Sequence, residues 1–318
     1  MFKKTLVVGL GLIAAVAQAA ALENLQEMNI WPNKVGPGSE KLTLTQEVLE
    51  RSKRADLKDR AVVKVTAPTL TVYRPEKPNG VGLLVTPGGS YQRVVLDKEG
   101  SDLAAPFNAA GVTLFVLTYR LPGDGHENGK DVPLADAQRA LRLIRARAAE
   151  WGLRADRIGV MGFSAGGHVA ASLATGFARK VYAKQDAADD LSARPDFAVL
   201  GYPVITMKEP AVHKGSRTQL IGTNPPAELI EAYSMEAQVS KDTPPTFLLH
   251  ADDDTSVVPE NSILFYQGLK KAGVSASLHI FPSGKHGFGI RGADGLPAAV
   301  WPALTLDWLQ ARGLLKQD

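Results

Sequence analysis

The chain has 318 residues, of which 45% are hydrophobic, and this is enough to bury the core of one sizeable α/β domain. Its formal net charge is only +3 at pH 7, so it lacks the basic balance of a nucleic-acid-binding protein, and we expect no nucleic-acid partner. It contains no cysteine, which excludes disulfide bonds and lipid attachment through cysteine.

Residues 1–21 have the three parts of a secretory signal peptide. Met1-Phe2-Lys3-Lys4 is basic, residues 5–16 are apolar, and small residues at 17–21 offer cleavage sites. The apolar run is too short for a comfortable membrane span. We therefore expect a periplasmic or secreted protein with no membrane partner after signal removal. That removal takes away two lysines and no acidic residue, so little attraction to anionic membranes remains.

A polar extension over residues 22–60 follows, with turn signals at Trp31-Pro32 and Gly36-Pro37-Gly38. We expect it to wrap the domain or to border its cleft. We expect the remaining residues, 61–318, to form one domain, in the later part of which strands and helices alternate. The predicted strands cover residues 61–66, 69–74, 81–86, 112–119, 157–161, 196–200, 245–250 and 277–281. The predicted helices cover residues 133–151, 165–178, 260–272 and 297–312. This order predicts a mostly parallel sheet with helices on both faces, after an antiparallel start.

The strand at 81–86 ends in Pro87-Gly88-Gly89-Ser90-Tyr91. Glycines free backbone N–H groups to face a developing oxyanion, so the amides of Gly89 and Ser90 are candidate oxyanion donors. Their expected partner is the amide of Ala165. A plain glycine turn between a strand and a helix is the alternative.

The strand at 157–161 runs into Gly162-Phe163-Ser164-Ala165-Gly166, and a helical pattern of small residues follows. This is the strand, sharp turn and helix of a nucleophile elbow, which makes Ser164 a candidate nucleophile. The alternative is a glycine-rich turn with no catalytic role. His168 lies near the same helix face, and we interpret it as a packing residue close to the site.

Two later strand ends supply an acid and a base. The strand at 245–250 is followed by Asp252-Asp253-Asp254, and the strand at 277–281 by a glycine-rich loop that carries His286. The order serine, aspartate, histidine is that of α/β-hydrolase triads. His286 would take the serine proton while an aspartate orients its ring. A loop histidine that only caps a turn is the alternative.

Five ordered motifs together resemble the α/β-hydrolase esterases of the acetylxylan esterase type, including the group that combines acetyl and feruloyl esterase activity. They are Pro87 to Tyr91, Thr118 to Pro122, Gly162 to His168, His250 to Thr255 and Gly284 to Gly289. The resemblance implies that Asp254, four residues after His250, is the triad acid, with Asp253 as the second choice. It also implies an oligosaccharide or small-molecule ester as substrate.

The sequence predicts neither a metal nor another cofactor, because it has no HExxH motif, cysteine pair or further carboxylate cluster at ligand spacing. Residues 202–241 lack clear periodicity and should lie beside the catalytic face. They are polar, unlike a lipase lid. The competing hypotheses are a feruloyl or general short-chain esterase, a serine peptidase, and a catalytically silent protein that binds glycans.

Overall fold

The computed structural model describes residues 25–315, so the predicted signal peptide lies outside the described part of the chain. The strands are β1 (Leu25–Asn29), β2 (Glu47–Glu50), β3 (Arg60–Val63), β4 (Thr69–Tyr73), β5 (Gly82–Thr86), β6 (Val94–Val95), β7 (Thr113–Thr118), β8 (Ile158–Phe163), β9 (Ala198–Gly201), β10 (Thr246–Ala251) and β11 (Ala276–Phe281). The helices are α1 (Ala104–Ala109), α2 (Val132–Ala146), α3 (Ser164–Gly176), α4 (Lys214–Ile221), α5 (Ala227–Ala232), α6 (Glu260–Lys271) and α7 (Trp301–Ala311).

Eight strands form the main sheet, in the order β1-β4-β7-β5-β8-β9-β10-β11. Strand β4 runs antiparallel to both of its neighbours, and all other pairs in this sheet are parallel. The antiparallel start and the parallel remainder predicted from the sequence are therefore confirmed. The strand predicted at 61–66 instead belongs, as β3, to a small antiparallel sheet with β2 and β6.

The central strands are apolar on both faces because each face is covered by helices. Along β5, Leu84 points into one core, which α2, α3 and α6 cover, while Leu83 and Val85 point into the other, which α1 and α7 cover. This alternation follows from the two-residue period of a strand. Within residues 25–315, no helix is long and apolar enough to cross a membrane.

The extension is built into the domain. Its strand β1 pairs with β4, and Trp31 donates an indole hydrogen bond to the buried carboxylate of Asp136 at 2.8 Å. Arg120 forms an ion pair with the same carboxylate and donates to the carbonyl of Pro37 and the hydroxyl of Ser39. The extension thus wraps the domain, and the boundary expected at residue 60 falls within the small sheet.

Some element bounds differ from the expectation. The helix predicted over 133–151 ends at Ala146, where Arg147 leaves helical backbone angles, and a 3-10 turn over Ala148–Trp151 follows. The helix predicted from residue 297 begins at Trp301, with Pro302 in its first turn. Residues 202–241, for which the sequence predicts no element, contain the short helices α4 and α5.

Candidate active site

Four parallel strands bring the candidate residues to one edge of the sheet. Strand β5 leads into the loop 87–91, which we call the oxyanion loop, and β8 leads into Ser164. Strand β10 is followed by the aspartates, and β11 by the loop 282–290, which we call the base loop. Because the carboxyl ends of parallel strands lie at the same edge, residues far apart in sequence become neighbours.

Ser164 occupies a tight elbow. It is the first residue of α3, and its φ of 54° lies in the left-handed region that residues with a side chain rarely adopt. The close approach of α3 to β5 depends on Gly166, since a Cβ there would overlap the carbonyl oxygens of Thr86 and Pro87. The strained turn lifts the serine away from the strand and toward the base loop.

The structure joins the three predicted triad side chains in one hydrogen-bonded chain. Ser164 Oγ lies 2.8 Å from His286 Nε2, and His286 Nδ1 lies 2.7 Å from Asp254 Oδ2. The carboxylate accepts, so the proton of the neutral imidazole belongs on Nδ1, and Nε2 is left to accept the serine hydroxyl proton. This is the arrangement that a general base requires.

Asp254 is set up to stay ionised. Burial opposes its charge, but hydrogen bonding from His250 and His286 and from the amide of Val257 outweighs that cost and holds the pKa of Asp254 well below its usual range. His250 itself is completely buried, with Nε2 3.4 Å from Asp254 Oδ2. The sequence places His250 at the end of its strand but carries no motif that indicates this contact with the acid.

The structure separates the two candidate acids. Asp253, the second choice, points its Oδ1 at the amides of Gly284 and Lys285, at 2.9 and 2.8 Å. It therefore holds the start of the base loop, whereas Asp254 contacts the imidazole directly.

The oxyanion loop has an unusual backbone. Gly89, Ser90 and Tyr91 have φ values of 134°, 58° and 60°, and a Cβ on Gly88 would lie only 2.8 Å from the Cβ of Ser164. The amide of Gly88 is occupied by the carboxylate of Glu99 at 2.8 Å. Over the described residues, the amides of Gly89 and Ser90 have no hydrogen-bond partner, so they are available as donors. Ala165 lies in the first turn of α3, where amides lack intrahelical acceptors.

Behind this loop lies a buried pair, Tyr91 and His168. The tyrosine hydroxyl is 2.8 Å from His168 Nδ1, and His168 Nε2 donates to the carbonyl of Tyr233 at 2.8 Å. Burial lowers the pKa of His168 to about 4, so the ring stays neutral at physiological pH. The packing role predicted for His168 agrees with these contacts.

We expect stability to depend on the protonation of His168. Its pKa in the folded protein lies below the ordinary value of about 6.5, so only the unfolded chain takes up this proton between roughly pH 6.5 and 4. The stabilisation is complete above the upper pH and is lost as the pH falls, by at most about 1.4 kcal/mol per unit. Urea unfolding at pH 7.5 and pH 5 measures this loss. His168→Gln should show a shallower pH dependence, and an unchanged slope would contradict this origin.

Three further residues close to the site carry no sequence motif. Tyr202 follows β9, and its ring packs edge-on against His286 with ring centres 5.3 Å apart. Glu99 is buried beside the oxyanion loop. The imidazole Nδ1 of His213 accepts from the amide of Ser216 and caps α4, and its ring interacts electrostatically with His286 and Asp254. Of the three, only Tyr202 could have been suspected from the sequence, because it stands at the carboxyl end of a predicted strand.

The described residues contain no group of three or more His, Cys, Asp or Glu side chains placed to hold a metal ion.

Comparison with known proteins gives consistent matches. The family described as BD-FAE matches residues 72–269. An acetylxylan esterase from Xylanibacter ruminicola is 36% identical over 225 residues, which are 69% of this chain and 43% of that protein. Endo-1,4-beta-xylanase B from Butyrivibrio fibrisolvens is 37% identical over 205 residues, 64% of this chain and 32% of that protein. The chain thus spans less than half the length of these two relatives.

A solved structure covers more of the fold. The acetyl ester-xyloside bifunctional hydrolase from Caldicellulosiruptor lactoaceticus is 34% identical, with a TM-score of 0.68 over 87% of this chain and all of that one. These matches confirm the resemblance predicted from the sequence and the α/β-hydrolase fold.

Proposed function

Because this chain belongs to the BD-FAE family, we propose that it is a carboxylic ester hydrolase, and specifically a serine esterase that removes acetyl groups from xylan-type saccharides. The observation that carries the mechanism is the hydrogen-bonded chain from Ser164 through His286 to Asp254, with distances of 2.8 and 2.7 Å. A catalytically silent glycan-binding protein has no use for a nucleophile in a strained elbow beside an oriented base.

The acylation step follows from this geometry. Ser164 Oγ attacks the ester carbonyl carbon while its proton passes to His286 Nε2, and the carbonyl oxygen takes the negative charge. Asp254, which stays ionised, stabilises the imidazolium. The amides of Gly89, Ser90 and Ala165 are the proposed donors to the oxyanion. The imidazolium then returns the proton to the sugar oxygen, the carbon–oxygen bond breaks, and the alcohol leaves.

Deacylation repeats these steps with water. His286 Nε2 takes a proton from a water molecule, whose oxygen attacks the acyl carbon, and the resulting oxyanion collapses to release acetate. The proton returns to Ser164 Oγ. No metal, redox partner or other cofactor is needed for this balance of atoms.

Two observations support a saccharide ester as substrate. The relative from Xylanibacter ruminicola is an acetylxylan esterase, and the structural neighbour is an acetyl ester-xyloside bifunctional hydrolase. The segment 202–241, which carries His213 near the triad, buries several large apolar side chains in the core, among them Val204, Ile205, Met207, Leu220 and Met235. Others, such as Ile221, Leu229, Ile230 and Val239, are partly buried against the core. The surface that remains is polar and suits a sugar better than a long acyl chain.

We also propose export to the periplasm or the cell exterior. The support is the basic, apolar and small-residue order of residues 1–21. A secreted enzyme meets polysaccharide fragments before they are taken up.

A substrate panel tests the proposal. A site shaped for acetyl discriminates by about 1–3 kcal/mol per extra methylene, so p-nitrophenyl acetate should be cleaved roughly tenfold or more faster than the butyrate. We expect almost no cleavage of the octanoate, and we expect acetate release from acetylated xylo-oligosaccharides. Octanoate as the best substrate would contradict the acetyl assignment. So would cleavage of feruloyl or uronoyl esters with acetylated xylo-oligosaccharides left intact, although the serine mechanism would stand.

A further inference from the structure

A buried carboxylate lies beside the triad and has no part in the mechanism described above. Glu99 is only 4% exposed and sits in the segment between β6 and α1. No lysine or arginine of the described chain lies within 4 Å of its carboxylate as an ion-pair partner. Burying a carboxylate costs free energy unless hydrogen bonds satisfy its oxygens, so each oxygen of Glu99 should have a donor.

One oxygen of Glu99 binds the oxyanion loop. Its Oε2 accepts the amide of Gly88 at 2.8 Å. Gly88 lies directly against Ser164 and immediately before the candidate oxyanion donors. This bond ties the oxyanion loop to Glu99 and occupies the Gly88 amide. The amides of Gly89 and Ser90 therefore remain free to donate.

The other oxygen binds Tyr202. The tyrosine hydroxyl donates to Glu99 Oε1 at 2.9 Å and accepts the amide of Gly289, in the base loop, at 3.1 Å. The buried ring of Tyr202 also packs edge-on against both His286 and Phe288. Burial and the negative charge of Glu99 raise the pKa of Tyr202 well above its usual range, so its hydroxyl keeps its proton and remains a donor.

Glu99 and Tyr202 therefore form a continuous bridge from the amide of Gly88 to the amide of Gly289. We propose that these two residues are positioning residues that hold the oxyanion loop and the base loop at a fixed separation, so that oxyanion donors and imidazole act on the same carbonyl group. This inference rests on the proposed serine mechanism and deepens it. Small displacements of reacting groups are costly, so loss of the bridge should affect the chemical step.

The test uses Glu99→Gln, Tyr202→Phe and the double variant. The amide of glutamine cannot accept from both donors, and phenylalanine keeps the ring against His286 but loses the hydroxyl. Each single variant should lower kcat for p-nitrophenyl acetate by roughly 10- to 100-fold while KM changes less than about threefold. Both substitutions break the same bridge. The kcat of the double variant should therefore be at most about threefold lower than that of the less active single variant.

The matched control is Tyr182→Phe, which removes a hydroxyl that bonds Asp189 and Arg142 outside the catalytic cleft. Its kcat should stay within about twofold of the wild-type value. If Glu99→Gln does not fold, Tyr202→Phe alone decides the result. Unchanged kcat in the folded variants, an effect confined to KM, or losses that multiply in the double variant would each overturn the inference. The proposed serine mechanism has its own test, because a Ser164→Ala variant that remains active would contradict the mechanism itself.

Discussion

Replacing Ser164 or His286 by alanine should lower kcat by roughly four to six orders of magnitude while the fold survives. The nucleophile cannot attack without its oxygen, and its oxygen is a poor nucleophile without a base at 2.8 Å. Because the two side chains act as one unit, the double variant should be hardly worse than either single variant. Steady-state hydrolysis of p-nitrophenyl acetate, with circular dichroism to verify folding, measures this.

Ser172→Ala is the matched control for this experiment. Ser172 is buried on the same helix, two turns after Ser164, and its hydroxyl faces the sulfur of Met235. We expect its kcat to remain within about threefold of the wild-type value, because the Ser172 hydroxyl contacts His168 and Met235 and none of the reacting groups. An active His286→Ala variant would show that another group is the base.

The second large effect should separate the two neighbouring aspartates. Asp254→Asn should lower kcat by roughly four orders of magnitude, because the amide no longer stabilises the imidazolium and can favour the wrong tautomer of His286. Asp253→Asn should cost less than about tenfold, since its side-chain oxygen can still accept the amides of Gly284 and Lys285. The same kinetic assay compares them as a matched pair. A larger loss in Asp253→Asn would assign the acid role to Asp253.

The core of the site could be predicted because its signals are local. Ser164 stands in a short glycine-rich motif between a strand and a helix, and both Asp254 and His286 follow strands whose apolar runs are evident. The carboxyl ends of parallel strands lie at the same edge of the sheet, so residues that follow such strands are expected to lie close together. The bounds of the predicted strands of the main sheet lie within about two residues of the observed bounds, because each strand has a local apolar pattern in the sequence.

Features that depend on long-range contacts could not be predicted from the sequence. Strand β1 has no apolar alternation to identify it, and it is stabilised by pairing with β4 and by the anchoring of Trp31 on Asp136. The helices α4 and α5 are short and weakly patterned. Glu99 stands in an ordinary polar stretch, and only the folded chain shows its bonds to Gly88 and Tyr202. The glycine loop could be predicted, but not that the amide of Gly88 is occupied.

The central claim is that Ser164 is the nucleophile, and covalent labelling tests it most directly. A fluorophosphonate probe reacts with a serine whose oxygen is activated by a neighbouring base. Intact-mass spectrometry with peptide mapping should find one adduct, on Ser164, in the wild-type protein and none in Ser164→Ala. Labelling of a different residue, or equal labelling of both proteins, would contradict the account.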